Sequence, residues 1–563
     1  MTEASRKQKV RWSIFLPPWL IFIAVFLLSI LDFDLFMAVV DGVCTWILDT
    51  FSWLFNVTTL ITVIVVAIAY FSPLKDVRFG GSKARPMLSY PSYVWIVLCM
   101  IMGSGLMLWA CAEPMYHMHF PPSNITDGPM SSQSVMWAME TILLEWTFSP
   151  MALYTLPAIL FGFTFYNMKK SFSIGAMLSP LLNDWGISDH TIDHRVSPVV
   201  DCICLFCLCA GMAGALGVGI MLIGGGLEYI THGAVTAGPT LWIIGGAFII
   251  AVFILSAVSG LKKGMNFLSK YNTYFYLILG IFVLIFAPTS YLLNLCAESF
   301  GSMLSDFFRL SLWTSTAYDD GWAQLWPNFY WCTWMAWTAV SAAFLGRISR
   351  GYTVRDALNV IFIIPSLFSV VWLTIFSGTS ISFELSGFGI YDAMVAGDTS
   401  AAAYAVLENL PGALVTIPLF LLTAILSYIT SASGNINAIA GLCSAGLTQD
   451  DSRSPVALQV IWGLTIGVLT LVMLIAFEID GMKKLSYIGG LPIVFLMLLF
   501  IWAFVKVMKD PQKYDVHSED YYANGKPIPS QRLPYEGMDP DHPTLWEKIK
   551  RKKRHSADPS KTQ

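Results

Sequence analysis

The sequence predicts an all-α membrane protein of about twelve transmembrane helices. Composition, repeated apolar runs and one-sided charge carry that expectation. Of 563 residues, 56% are hydrophobic and only 12% charged, whereas soluble domains carry about a quarter charged residues. Lipid is therefore the solvent for most of the chain. Runs of the roughly 20 apolar residues that a spanning helix needs recur from Ser13 to Val507. The basic residues Lys75, Arg78, Lys83, Arg85, Lys169, Lys170, Arg195, Lys262, Lys263, Lys270, Arg347, Arg350, Arg355 and Arg453 fall in joints on one side, with the basic N-terminal segment. The other side holds Asp32, Asp34, Asp41, Asp127, Asp306, Asp319, Asp320, Glu384, Asp392, Asp398 and Glu478. Because basic residues resist translocation, both termini are expected in the cytoplasm and the number of spans is expected to be even.

In order, the expected spans are 13–32, 51–72, 92–112, 147–167, 199–223, 239–258, 271–295, 327–346, 358–379, 412–431, 456–477 and 487–507. The first follows Arg6, Lys7, Lys9 and Arg11, as the apolar stretch of a signal peptide would. It is long and lacks a small-residue cleavage site before the next span, so it reads as a retained helix. The joints 35–50, 300–316 and 401–410 are apolar enough to read as short interfacial helices. The chain thus divides into an N-terminal segment (1–12), a transmembrane domain (13–508) and a polar tail (509–563). That tail ends in Lys548, Lys550, Arg551, Lys552, Lys553 and Arg554, a density suited to the anionic cytoplasmic leaflet and equally to a plain solvated tail.

Four spans depart from plain lipid-facing runs. In 92–112, Gly103-Ser104-Gly105 opens the backbone at mid-membrane depth, which is tolerated only where the chain is buried in protein or lines a cavity; close packing through small residues is the competing account. Glu113-Pro114 and Tyr116 follow. His117 and His119 lack nearby ligand partners in sequence and read as surface residues. Glu145 and Trp146 precede span 147–167, in which Trp146, Pro150 and Tyr154 share a helical face. Glu145 reads either as a cap at the outer surface or as a charge facing the interior. In 327–346, Tyr330, Trp334 and Trp337 are in register behind Trp326. Interfacial girdles hold aromatic residues at the two membrane surfaces, but Trp334 and Trp337 fall near the middle. Rings there either pack or enclose a cation, at about 2 kcal/mol when desolvated. Span 412–431 ends in Ser427-Tyr428-Ile429-Thr430-Ser431, whose hydroxyls either bond their own helix or serve as ligands for an alkali cation.

The ten cysteines lie almost wholly within spans and describe no secreted disulfide framework. Cys202 and Cys209 share one helix face and Cys204 and Cys207 the opposite one, so the four cannot close a metal tetrahedron. No Ser/His/Asp or metal-ligand set is placed at depth, which argues against an intramembrane enzyme.

Taken together these stretches resemble the betaine/choline/carnitine transporter family. The resemblance rests on Phe329-Tyr330-Trp331 through Trp334, Phe344-Leu345-Gly346-Arg347-Ile348-Ser349-Arg350-Gly351 and Thr353-Val354-Arg355. It also rests on Gly103-Ser104-Gly105-Leu106-Met107 with Glu113-Pro114, Leu216-Gly217-Val218-Gly219, Gly260-Leu261-Lys262-Lys263-Gly264 and Thr430-Ser431. It implies a five-plus-five inverted-repeat fold with two extra N-terminal helices, and solute binding near the midplane at an interrupted helix. A homotrimer in the cell inner membrane is likewise a family expectation.

Carried across by motif, the family's aromatic box falls on Trp146, Tyr154 and Trp334, with Trp337 and Tyr116 beside it and Trp326 on the access path. Sodium would be held by Thr430 and Ser431, with carbonyls near Cys99, Met102 and Ser427. Sodium-independent members carry an arginine near span 7, where this chain has Asn266 and Asn272. Two family tryptophans are replaced here by Thr333 and Met151, which are included among the substrate-binding candidates, and a second sodium site is undercut by Leu208 and Met212. The implied function is sodium-coupled symport of a small zwitterionic, quaternary-ammonium or sulfonium solute, with no cofactor besides sodium. Sodium-independent exchange and osmosensing with weak transport are the alternatives.

Overall fold

A backbone immersed in lipid can satisfy its own N–H and C=O groups only in a helix or a closed barrel. The computed structural model describes residues 10–103, 105–259, 266–445 and 455–536. Among these it is helical throughout, with isolated bridges such as Val10 to Ser444 the only strand-like pairings. Among the described residues nine helices are long and apolar enough to cross a membrane, or ten when one bent pair counts as a single span; the expected twelve are not all recovered by that measure.

Helix α1 is Trp12–Leu31 and α2 is Phe33–Phe71. Asp32 separates them, its carboxylate accepting from the Leu35 amide at 3.0 Å. No proline interrupts α2, so residues 35–50 continue into the span rather than forming the separate interfacial helix expected. The 300–316 joint is likewise divided, between Thr289–Ser305 and Phe307–Ser311, whereas Ala401–Glu408 is a short helix as expected.

Two breaks shape the interior. Helix α3 (Tyr90–Met102) ends at Gly103, whose φ of 48° is open to glycine, and α4 (Gly105–His119) continues at 46° to it. Helix α5 (Ser132–Trp146) ends at Thr147 with φ −112° and ψ −109°, and α6 (Phe148–Gly162) resumes at once. The fourth span is therefore Ser132–Asn167 with a break near its middle, not 147–167. Gln133, Glu140 and Glu145 depress the hydropathy of α5, yet from Ser134 to Trp146 its side chains are nearly all buried against protein.

The glycine-rich helix Ser197–Ile230, the signature helix Pro327–Ile348, the serine-rich helix Ala413–Leu442 and the last helix Val456–Lys509 complete the core. The serine-rich helix runs well past the expected end at 431. The last is two helices joined at Glu478 (φ 51°, ψ −132°), between the eleventh and twelfth expected spans. The signature helix lies against α6 through Gly346: a Cβ there would come 2.6 Å from the Ala158 carbonyl oxygen. It meets the last helix at Gly490, where a Cβ would stand 2.6 Å from the Cys332 Cα.

Both ends of the described chain pack on one side. Arg11 pairs with Asp201 at 3.2 Å, and Asp201 also accepts from Ser173 and the Ile174 amide. Asn167 donates to Asp515 at 2.7 Å, and Asp184 binds Lys506 and Lys513 at 2.6 and 2.8 Å. Those two ammonium groups hold the Asp184 carboxyl down to about 2, so it stays ionised at neutral pH. The tail is thus docked from Pro511 to Glu536. The basic run 548–554, the Gly260–Gly264 motif, Ser104 and Arg453 lie outside the described residues.

Candidate functional site

Unwound backbone at Gly103 and Thr147 lets α3, α4, α5 and α6 turn around one shared space. That space is a cavity of about 70 Å³ between these breaks, the glycine-rich helix, the signature helix and the serine-rich helix. At roughly 10–15 Å³ per water-sized group it has room for on the order of five such groups, the scale of a trimethylammonium head. Its walls include Trp146, Tyr154, Tyr330, Thr333, Trp334 and Trp337, together with Trp109, Tyr428, Met102 and Ser431.

The rings meet mostly edge-on, with Tyr330 and Trp334 the stacked exception at 6.2 Å and 23°. Trp146 meets Trp334 edge-on at 5.0 Å and Tyr330 at 5.3 Å, and Tyr154 meets Trp334 at 6.3 Å. Aromatic rings lining a desolvated space suit a cation without a hydrogen to donate. The Trp334 indole is fixed by donating to the Glu145 carbonyl at 3.0 Å, and the Trp146 indole by donating to Glu113 Oε2 at 3.1 Å. Because Thr147 breaks the helix, Trp146 and Tyr154 do not share one continuous face as their spacing implied. The break, not the register, turns both toward the cavity.

Three of the expected solute residues stand differently. Thr333 lines the space, but its hydroxyl donates to the Phe329 carbonyl at 2.8 Å. Met151 is buried in α6 outside the lining, and Tyr116 bonds Thr399 at 3.0 Å with its ring against Trp326. Trp326 lies further out, where the Lys483 ammonium stands 4.7 Å from its ring and within 6 Å of Trp109 and Phe329.

The sodium candidates divide into two groups. Ser431 and Met102 line the cavity, with Ser431 donating to the Met100 carbonyl at 2.9 Å. Thr430 donates to Leu426 and Ser427 carbonyls. Cys99 and Ser427 sit on a side network joined by Asn272, whose amide reaches them at 3.7 and 2.9 Å. Tyr276 extends it, bonding Ser427 at 2.8 Å and donating to the Gly103 carbonyl at 3.1 Å. The network therefore ties the break in the third span to the serine-rich helix through Asn272 and Tyr276.

Two polar residues lie deeper than the surface. Of the two readings of Glu145 the interior one holds, since it is fully buried rather than a surface cap, and His117, expected at the surface, is fully buried beneath Trp322 and Trp326. Only His119 is partly exposed, bound to Glu384 at 2.9 Å. An i, i+4 spacing of Glu113 and His117 opposite Glu145 was the available signal.

Residues 13–513 match the family described as betaine/carnitine/choline family transporters. A probable glycine betaine transporter of Desulfitobacterium hafniense is 25% identical over 84% of this chain and 92% of its own. An osmo-dependent choline transporter of Acinetobacter baylyi is 28% identical, covering 90% and 72%. An ectoine/hydroxyectoine transporter of Virgibacillus pantothenticus is 24% identical, covering 87% and 95%.

Proposed function

The chain belongs to the betaine/carnitine/choline transporter family, and from that premise we propose that it carries a small quaternary-ammonium, sulfonium or zwitterionic compatible solute in symport with sodium. It is a transporter and not an enzyme. The observation that carries the solute class is the ring-walled cavity around Trp146, Tyr154, Tyr330 and Trp334. Desolvated aromatic faces bind a delocalised cation without a counter-ion. Relatives named for glycine betaine, choline and ectoine support the class but differ in solute, so the choice among these solutes is left to the lining itself.

Sodium is assigned to the break in the third span, with Thr430, Ser431, Met102, Cys99 and Ser427 as its surroundings. Sodium-independent exchange is the second reading, favoured by the hydrogen bonds that already occupy the Thr430, Ser427 and Cys99 groups. The proposal also sets the chain in the cell inner membrane as a homotrimer with both termini cytoplasmic. Solute uptake into proteoliposomes, with and without an inward sodium gradient, separates the two readings. Symport requires gradient-driven accumulation, and Thr430→Ala with Ser431→Ala should raise the half-saturating sodium concentration at least tenfold. Accumulation indifferent to sodium would leave exchange.

A further inference from the structure

Behind the aromatic wall, on the side away from the solute, lie two carboxyl groups that the solute reading does not use. Glu113 on α4 and Glu145 at the end of α5 are both fully buried. Ligand atoms of Glu113, Glu145 and His117 lie within 4.8 Å of one another. Glu113 Oε2 accepts from the Trp146 indole and from the Tyr330 hydroxyl. Glu113 Oε1, both Glu145 oxygens and His117 Nε2 have no hydrogen-bond partner among the described residues. His117 Nδ1 is taken by Thr141 at 3.1 Å.

Two carboxylates this close in a medium of low polarity repel each other, which favours a state in which they share one proton. Intramembrane carboxyls are costly to bury and are retained where they move protons or ions. The other titratable or charged groups turned toward the pair are His117 on α4, Tyr330 on the signature helix and Lys483 on the last helix. Glu140 on α5 turns to Ser302, and His119 pairs with Glu384. Lys483 acts on Glu113 across the gap, which disfavours a metal cation here and favours the ionised form of Glu113, leaving the proton to Glu145.

We propose that Glu113 and Glu145 form a proton-binding site, holding one proton between two carboxyls, and that this proton is taken up and released as solute moves. Uptake transfers one proton from water to Glu145, whose O–H then donates to Glu113 Oε1. Release returns it to water and leaves two carboxylates that repel each other. Glu113 also anchors Trp146 and Tyr330, two walls of the cavity, so the charge on the pair bears directly on how firmly those rings are held. Solute movement and proton occupancy are thereby linked through the same two hydrogen bonds.

The transport arm of the test rests on the solute-transporter reading; the spectroscopic arm does not. Infrared spectra of the purified full chain should contain a protonated-carboxyl band at neutral pH that disappears in Glu145→Gln and in Glu113→Gln. A spectrum unchanged by both substitutions would overturn the site. In proteoliposomes with equal sodium on both sides, adding a betaine or choline gradient should acidify the lumen as solute enters. Dividing proton movement by solute counterflow in the same vesicles corrects for misfolded protein, and that ratio should fall at least tenfold in Glu145→Gln. Counterflow without any proton movement in the wild type overturns coupling while sparing the solute reading. Absence of counterflow for every solute defeats the solute reading, and the infrared arm still decides the site.

Discussion

Thr333 shows how far a substitution pattern carries and where it stops. Its position on the cavity wall was legible from the aromatic signature, because Tyr330, Trp334 and Trp337 fix the helix face to within one turn. Its hydroxyl was not free for solute, since the i−4 carbonyl of Phe329 takes it, a competition that Ser and Thr commonly show inside helices. Met151, carried over from the family's tryptophan position after Pro150, stands outside the cavity lining although Tyr154 of the same helix reaches it. One of the family's tryptophan positions falls on 333. In a space with room for about five water-sized groups an indole would consume most of it. Thr333→Trp is therefore expected to weaken binding of both choline and betaine at least tenfold by calorimetry on purified protein. Trp334→Ala, which removes one face of the cage, should cost about 0.5–2 kcal/mol, or roughly a twofold to thirtyfold loss. Tighter betaine binding by Thr333→Trp would mean that the solute-bound cavity is larger than the one described.

At the level of elements, apolar runs located most spans, because twenty lipid-facing residues leave a compositional trace that partial burial does not erase. Elements buried in protein escaped. Helix α5 carries enough polar side chains to fall below the apolar pattern, yet it supplies Glu145 and Trp146. Helix breaks were half legible: Gly103 announced itself through its glycine, whereas the break at Thr147 is marked only indirectly, by Pro150 in the first turn of α6, whose ring excludes the Trp146 carbonyl from a continuous helix. Close approach between elements left a clearer trace. Gly346 sits where a Cβ would come 2.6 Å from the Ala158 carbonyl oxygen and 2.8 Å from the Gly162 nitrogen. Backbone cannot yield as a flexible side chain does, so the signature helix and α6 would have to part. Overpacking of this kind costs about 1–3 kcal/mol. Gly346→Ala is expected to lower the thermal midpoint by several degrees and to weaken solute binding, because Tyr154 and Trp334 are carried by the two helices it separates. Gly245→Ala, where no atom stands within 4 Å, is the matched control and should leave the midpoint at or slightly above that of the parent. Equal effects from the two substitutions would remove the close approach as an organising contact.

Across the whole molecule, the terminus side is tied together by the docked tail rather than by the spans. Arg78 is buried, and burial pushes its guanidinium below the usual arginine range. Three bonds offset that cost: to the Gly351 carbonyl at 2.6 Å, the Ser530 carbonyl at 2.7 Å and the Ser530 hydroxyl at 3.0 Å. Arg532 binds Asp356, and its guanidinium stands 4.7 Å from the Tyr90 ring and 4.9 Å from the Tyr352 ring. The Glu536 amide donates to the Pro86 carbonyl at 2.8 Å. Residues 530–536 thus bridge the loop around 78–86 and the loop after the signature helix. Composition marked this stretch only as polar and proline-containing, because docking through backbone carbonyls and one arginine leaves no apolar pattern to read. Ending the chain after Pro529 removes Ser530, Arg532 and Glu536 together and strips Arg78 of two of its three bonds. Unsatisfied buried charge is expensive, at about 1–3 kcal/mol or more for each lost partner, so the loops should open rather than leave Arg78 stranded. Amide exchange at 78–86 and 349–356 is expected to accelerate by one to two orders of magnitude, and activation by osmotic upshift should change. Solute affinity should stay within about twofold, since the ring-walled cavity lies away from these loops. Unchanged exchange would show that Arg78 finds other partners. Altered exchange with an unchanged activation profile would make the docked tail a structural brace that takes no part in sensing.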